Sequence, residues 1–440
     1  MDYPQEILKK LDSAKISDRI KITSGGKTHE GVIMPKTEMS SVETLVLKLE
    51  SGYNVGIKLT GKEKIEKVFQ APKAKPAKKQ IEQDEKLPAI ALISTGGTIA
   101  SKVDYETGGV APALDVNDLM SAVPELSQRV RIKEFKQILQ IFSEDIQPAD
   151  WQKLAKEIAA QLNDPEIKGV VIAHGTDTMH YTSAAMSFML KNLGKPVVFV
   201  GAQRSTDRGS ADSAMNLICA ANIAAYSDFA EVGVCMHANM DDDYCHFHRG
   251  TKVRKMHTSR RDALKSINDS PLASVWANGQ IEVTNKEYKK RNESGKMSAD
   301  SSFEEKVAIV KAYPGADPEI IDHYISKKYR GIIIEATGLG HVSLASSKSW
   351  QKSIEKAVSS GLLMCAAAQT LNGRLDPFVY ATGRKLYTAG VIFLEDMLPE
   401  TAYVKLGCAL GRTKDYEDAR KMMLEVWAGE INGRLKKEMF

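Results

Sequence analysis

The sequence predicts an α/β protein: two α/β domains, the first with a parallel sheet, preceded by a small all-β barrel domain. Three observations predict it. Short alternating runs separated by turn residues fill positions 1–70. A stretch of Pro, Ala and Lys follows. From Pro88 onward, near-continuous apolar runs alternate with amphipathic helical stretches, the pattern of a parallel sheet covered on both faces.

The first segment opens with a helix candidate in which Pro4 suits the first turn and Ile7, Leu8, Leu11 and Ala14 recur at helical spacing. Five strand candidates then follow closely: Arg19–Thr23, His29–Met34, Thr44–Leu49, Asn54–Leu59 and Ile65–Phe69. Gly25-Gly26, Pro35, Ser51-Gly52 and Gly61 punctuate them. Residues 71–87 form a basic linker, since Ala71-Pro72-Lys73-Ala74-Lys75-Pro76-Ala77-Lys78-Lys79 has too little apolar surface to enter a core. Residues 88–285 form the first α/β domain, with strands Ala89–Ser94, Gly169–Ala173, Pro196–Val200 and Val232–Met236 and helices over Gln152–Leu162 and Thr178–Leu193. A polar stretch over 286–306 leads to a smaller α/β domain, 307–440, whose strands are Val307–Val310, Gly331–Glu335 and Leu362–Ala367.

Bulk properties narrow the function classes. A chain of 440 residues that is 43% hydrophobic buries two or three cores. Five scattered cysteines without a CxxC pair suit a reduced, cytoplasmic protein. The N-terminus has no signal-peptide pattern and no apolar run is long enough for a membrane span, so a soluble protein is expected. Net charge is +4. Residues 1–87 carry 17 basic against 13 acidic side chains and the remainder 43 of each, so the whole excess is N-terminal. A surplus of four is a weak footprint for a polyanion and fits a solvated lysine-rich linker equally.

Three motifs carry chemistry. The strand Ala89–Ser94 runs into Thr95-Gly96-Gly97-Thr98, where glycines permit a tight turn and place Thr98 at the carboxyl edge of the sheet. A threonine hydroxyl becomes a nucleophile once a neighbour takes its proton. A structural Gly-Gly turn or a phosphate loop would read similarly, although no Gly-Lys-Ser/Thr follows. The second motif, His174-Gly175-Thr176-Asp177-Thr178, follows another apolar strand and opens a helix, so Thr176 and Asp177 are also cap candidates. The third, Arg249 to Arg260, reads alone as a basic loop, and a lysine within it beside a carboxylate and a hydroxyl relays a proton. Cys245-His246-Phe247-His248 offers metal-ligand types without a second cluster at zinc spacing, so no metal is expected and the segment reads as a loop near the site. His174 and His180 read as structural hydrogen-bonders.

Together and in this order, the three motifs resemble the asparaginase/glutaminase family over residues 88–440. Gly201-Ala202-Gln203-Arg204, Tyr313-Pro314-Gly315 and Glu335-Ala336-Thr337-Gly338-Leu339-Gly340 add to the resemblance. It implies an asparaginase-like core, with Thr98 as nucleophile and Thr176, Asp177 and Lys255 as second hydroxyl, carboxylate and linking lysine. It further implies Tyr105 as a lid tyrosine and Ser143 and Glu144 as the segment that binds the substrate's amino-acid end. Lys255 then works partly as a neutral amine, which burial and a cationic neighbour such as Arg254 favour.

The extra N-terminal segment, with the run from Cys245 to Ala263, resembles the D-subunit branch of archaeal-type glutamyl-tRNA(Gln) amidotransferases. That resemblance implies glutamine or asparagine as amide donor, no cofactor on this chain, and a homodimer flanked by two E-type partner subunits. The E-type partner would bind tRNA(Gln) and use ATP and Mg²⁺ to convert Glu-tRNA(Gln) to Gln-tRNA(Gln). A stand-alone cytoplasmic asparaginase with an accessory domain is the alternative. A scaffold with a dead core is disfavoured, because Thr98, Thr176, Asp177 and Lys255 are all present.

Overall fold

The computed structural model describes residues 14, 18–33, 44–49, 54–60, 62–68, 83–96, 101–103, 110–112, 123–204 and 211–435. The helix expected around Pro4, residues 71–82 of the expected linker, Thr98 and Tyr105 lie outside the described residues.

The five expected N-terminal strands form one antiparallel sheet. They are β1 (Arg19–Ser24), β2 (Lys27–Ile33), β3 (Thr44–Leu49), β4 (Asn54–Lys58) and β5 (Lys64–Lys67), in the order β4-β3-β2-β1-β5. Period-two alternation sends Ile20 and Ile22 of β1 and Leu45 and Leu47 of β3 into a small core with Ile33, Ile57 and Leu59. Gly25 and Gly26 join β1 to β2 with φ of +58° and +77°. Two positive φ values are what a two-residue turn matched to strand twist demands.

Among the described residues the second sheet has eight strands. In chain order the segment comprises β6 (Ala89–Ser94), the hairpin β7 (Ser101–Val103) and β8 (Val110–Pro112), β9 (Arg131–Gln137), β10 (Ile167–Ala173), β11 (Leu190–Lys191) and β12 (Val197–Val200). It continues with β13 (Val232–His237), β14 (Cys245–Arg249), β15 (Val253–Lys255), β16 (Leu264–Ser266), β17 (Ala273–Val275), β18 (Ile281–Val283) and β19 (Ser298–Ala299). The sheet order is β18-β17-β14-β13-β12-β10-β6-β9. The strands from β9 to β13 pair in parallel, and β14, β17 and β18 extend the sheet antiparallel. Because β9 lies on one side of β6 and β10 on the other, the chain reverses direction across the sheet at β6. The loops leaving β6 and β10 therefore part at a topological switch point, where open α/β sheets hold ligands.

Among the described residues three helices cover this sheet: α1 (Pro148–Leu162), α2 (Met179–Met189) and α3 (Ser213–Tyr226). Alternation on β6 divides its side chains cleanly. Ile90 and Leu92 join the core under α3, and Ala91 and Ile93 join the core under α1 and α2. Pro148 starts α1, and Asp150 accepts the Gln147 N–H at 3.1 Å.

The C-terminal sheet is fully parallel in the order β20 (Val307–Lys311), β21 (Gly331–Ala336), β22 (Leu363–Ala368) and β23 (Ile392–Phe393). One face packs on α4 (Glu319–Ser326), α5 (Gln351–Ser359) and α6 (Ala381–Thr388), the other on α7 (Pro399–Arg412) and α8 (Tyr416–Leu424). Helix α7 serves two cores. Ala402, Leu406 and Ala409 face its own sheet, and Val404 and Cys408 enter the core of the preceding domain beside α2.

The Cys245–His248 segment differs from expectation: it is strand β14, not a loop. Its polar types had masked a period of two, with Cys245 and Phe247 in the core under α3 and His246 and His248 on the opposite face. Cysteine and histidines thus point apart. All five cysteines are buried and unpaired.

Gly169 on β10 lets α3 approach, since a Cβ there would stand 2.5 Å from the Ala224 carbonyl oxygen. Gly169→Ala should push α3 off the sheet and cost about 1–3 kcal/mol by overpacking. Thermal unfolding checks it, and an unchanged melting temperature would refute it.

Candidate active site

Three loops meet at the carboxyl edge of the parallel strands. After β6, the Thr95 N–H and hydroxyl both donate to the Ala173 carbonyl, at 3.0 and 3.1 Å, which ties the first motif to the end of β10. Gly96 follows with φ of +114°, and a Cβ on it would sit 2.4 Å from the Ile141 carbonyl oxygen, so both conformation and space demand glycine. After β9, Ile138 and Ile141 hydrogen-bond back to Ser94 and Thr95, and Ser143–Asp145 makes a single 3-10 turn. That turn lies on the second motif. The Thr178 hydroxyl donates to the Ser143 carbonyl at 2.6 Å, and a Cβ at Gly175 would stand 2.8 Å from Ser143 Cβ and Oγ. Ser143 is buried there and Glu144 is exposed.

The second and third motifs meet through one ammonium. Lys255 Nζ donates to Thr176 Oγ1 at 2.9 Å and to Asp177 Oδ1 at 2.7 Å. The Lys255 side chain is 10% exposed and that of Asp177 63%, so the pair bridges the interior and the solvent rim. Neither Thr176 nor Asp177 caps α2: the cap position is Thr178, whose hydroxyl turns to Ser143. Lys255 ends β15, which pairs with β16 as a two-stranded hairpin, so within the basic segment Val253–Lys255 is strand, and residues 256–260 after it are bend and irregular chain.

Arg254 is not a bare cation beside Lys255. Its guanidinium lies 3.0 Å from Glu400 Oε1 at the start of α7, so its charge is countered. Burial lifts the Glu400 carboxyl above the usual carboxylate range, and Arg254 opposes the lift. His174 Nδ1 lies 2.6 Å from the Gly175 carbonyl oxygen. His180 Nδ1 has no hydrogen-bond partner among the described residues, and the ring packs against Tyr181. His180 is therefore a packing residue. Burial pushes His174 down to about 4 and His180 down to about 3, with Arg254, His174 and Lys255 adding to the latter. Neither titrates near neutrality.

Sequence reasoning missed the residues that hold the Gly201–Arg204 loop after β12. Buried Asp212 accepts the backbone N–H groups of Gln203 and Arg204 at 2.9–3.1 Å. Asn216 Nδ2 donates to the Gly201 carbonyl at 3.0 Å, and Asn216 Oδ1 accepts the His237 N–H at 3.0 Å. The available signal was a pair of polar residues, four apart, opening an otherwise apolar helix. Among the described residues no group of three or more His, Cys, Asp or Glu is arranged to hold a metal ion.

Comparison with known proteins gives the lineage. Residues 89–289 match the asparaginase N-terminal family and residues 306–423 the glutaminase/asparaginase C-terminal domain. The thermostable L-asparaginase from Thermococcus kodakarensis superposes with a TM-score of 0.69 at 30% identity, over 79% of this chain and 100% of that one. L-asparaginase I from Vibrio cholerae superposes at 0.67, also at 30% identity, over 79% and 99%. Residues 14–68 match the GatD N-terminal domain. The glutamyl-tRNA(Gln) amidotransferase D-subunit from Pyrococcus abyssi is 54% identical over 407 residues, 92% of this chain and 91% of the relative. The D-subunit from Methanothermobacter thermautotrophicus is 45% identical over 438 residues, 99% and 98%. The chain belongs to the GatD family, the D-subunits of glutamyl-tRNA(Gln) amidotransferases.

Within this GatD framework, the contact between Gly175 and Ser143 makes a direct test of the Ser143–Asp145 turn. Gly175→Ala should displace that turn and raise KM for the amide donor about tenfold, with a smaller fall in kcat. Steady-state kinetics check it, and an unchanged KM would remove Ser143 from substrate binding.

Proposed function

We propose that the chain is the ammonia-producing component of a glutamyl-tRNA(Gln) amidotransferase, hydrolysing the side-chain amide of glutamine or asparagine with Thr98 as nucleophile. The observation that carries this reading is the Lys255 ammonium held between Thr176 and Asp177 at the switch point of the sheet, in a chain of GatD lineage. Thr98 follows the end of β6 by four residues in the sequence, and β6 pairs in parallel with β10, the strand that leads into Thr176.

In the proposed reaction Thr98 Oγ attacks the amide carbon as its proton passes to a basic group. The amide nitrogen takes a proton and leaves as ammonia, and water then attacks the acyl-enzyme to regenerate Thr98. Thr176, Asp177 and Lys255 supply the proton relay, Lys255 acting in its neutral form when it accepts. Backbone N–H groups of the two turns stabilise the oxyanion, an effect of about 3 kcal/mol per donor. Ser143 and Glu144 receive the substrate's amino-acid end, and Tyr105 closes over the nucleophile.

Membership of the GatD family supports a complex with an E-type partner. That partner binds tRNA(Gln), uses ATP and Mg²⁺ to activate the misattached glutamate, and captures the ammonia. This chain contributes no cofactor, pairs with a second copy through its asparaginase-like core, and works in the cytoplasm. Among the described residues no helix is long and apolar enough to cross a membrane.

The fold likeness to free-standing L-asparaginases supports the hydrolytic step and leaves the second reading, a stand-alone asparaginase, to experiment. Ammonia release by the purified chain should rise strongly when the E-type partner, ATP and Glu-tRNA(Gln) are added. Robust activity unaffected by those additions would favour the stand-alone enzyme. Thr98→Ala should abolish ammonia release with an unchanged circular dichroism spectrum, and retained turnover would remove Thr98 from its role. Deleting residues 1–87 should leave the core folded yet weaken tRNA-dependent amidation, and full amidation by the truncated chain would show the N-terminal sheet to be dispensable.

A further inference from the structure

The segment that leads into the strand bearing Lys255 is held from the C-terminal part of the chain. The Thr251 hydroxyl donates to the Ala428 carbonyl at 2.9 Å, and the Thr251 carbonyl accepts from the Thr401 hydroxyl at 2.9 Å. Lys252 Nζ lies 2.7 Å from Asp396 Oδ2, both side chains fully buried, and Asn432 completes the carboxylate's hydrogen bonds at 2.7 and 2.9 Å. Val253 enters the core under α1 and α2. Arg254 meets Glu400 on α7, and the next residue is Lys255.

Of these contacts, the one between Arg254 and Glu400 is unlike a plain structural tie. Glu400 Oε1 has Arg254, but Glu400 Oε2 is buried with no hydrogen-bond partner among the described residues. A buried carboxylate oxygen without a hydrogen bond carries a desolvation cost, and such an exception calls for an explanation. The same carboxylate is the ion-pair partner of Arg254, the residue that precedes on β15 the lysine contacting Thr176 and Asp177.

We propose that Glu400 is a positioning residue for amide hydrolysis: through Arg254 it holds β15 in place and balances the positive charge next to Lys255. The proposal rests on the reading of Lys255 as the site's proton relay. The charge balance involves every element packed there. Asp177 faces Lys255 from the loop after β10, and His174 and His180 lie alongside. Tyr181 of α2 and Tyr403 of α7 pack edge to face at 6.3 Å, and Glu335 of β21 and Lys311 of β20 lie within electrostatic reach of Glu400. The two histidines are neutral at working pH, and the Glu335–Lys311 pair is self-compensating at 3.1 Å. Removing the Glu400 charge alone therefore leaves Arg254 uncompensated, and an uncompensated cation disfavours a second positive charge nearby.

The test is the pH dependence of kcat/KM for ammonia release by the full chain in complex with its E-type partner, comparing the parent with Glu400→Gln. The substitution keeps the shape of the side chain and removes its charge. The expected result is an acid limb displaced by about half a pH unit to lower pH, with kcat reduced several-fold and KM nearly unchanged. Glu417→Gln, at an exposed position on α8, controls for a change in net charge and should leave the profile where it is. Glu400→Asp should restore the limb toward the parent position, because it restores the charge. A uniform loss of activity with an unmoved limb would show a merely structural role and overturn the proposal, as would a profile identical to the parent. Should Glu400→Gln fail to fold, Arg254→Gln removes the cation from the other side. The limb should then move to higher pH, and an unmoved limb again overturns the proposal. Full activity in Lys255→Met would instead sink the reading of Lys255 itself, so the two failures are distinguishable.

Discussion

The Lys255 ammonium reaches Thr176 and Asp177 from a strand that the eight-stranded sheet does not support, since among the described residues β15 pairs only with β16. Its position therefore depends on how the preceding residues are held. Buried Asp396 and Asn432, Thr401 and Glu400 supply that hold, and all of them belong to the C-terminal domain. Breaking a buried pair such as Lys252–Asp396 from one side typically costs about 3–5 kcal/mol, because the remaining charge loses its partner. The two α/β units are thus joined at the point where chemistry demands accuracy, and α7 packs into the cores of both.

The switch point supplies the other half of the site. Strand order places the loops after β6 and β10 side by side, and Thr95 bonds them together before either reaches its functional residues. The third loop, carrying Ser143, settles where Gly96 and Gly175 leave room. Glycine thus works here through close approach as well as through backbone freedom.

Much of this was legible in the residues. The apolar runs at Ala89–Ser94, Gly169–Ala173 and Leu362–Ala367 read as buried strands, and the structure has strands at Ala89–Ser94, Ile167–Ala173 and Leu363–Ala368. Thr176, Asp177 and Lys255 were nameable because the short motifs around them keep their order, and the structure brings the three together. Other features were illegible for definite reasons. Strand β14 hid behind histidines, although its cysteine and phenylalanine alternate correctly. Pairings such as Lys252–Asp396 and Arg254–Glu400 span more than 140 residues, and no local pattern signals a contact at that range. The ion pair of Arg254 with Glu400 could not be read for the same reason: the partner arrives from another domain.

The five cysteines, all buried in cores and none bonded to another, have a practical side. Thiol reagents need an accessible thiolate, and burial denies them both access and charge. A single cysteine placed on the exposed face of α8 would be the one reactive sulfur on the folded core. The chain is in that sense already prepared for attaching one spectroscopic reporter, with no native thiol to remove first.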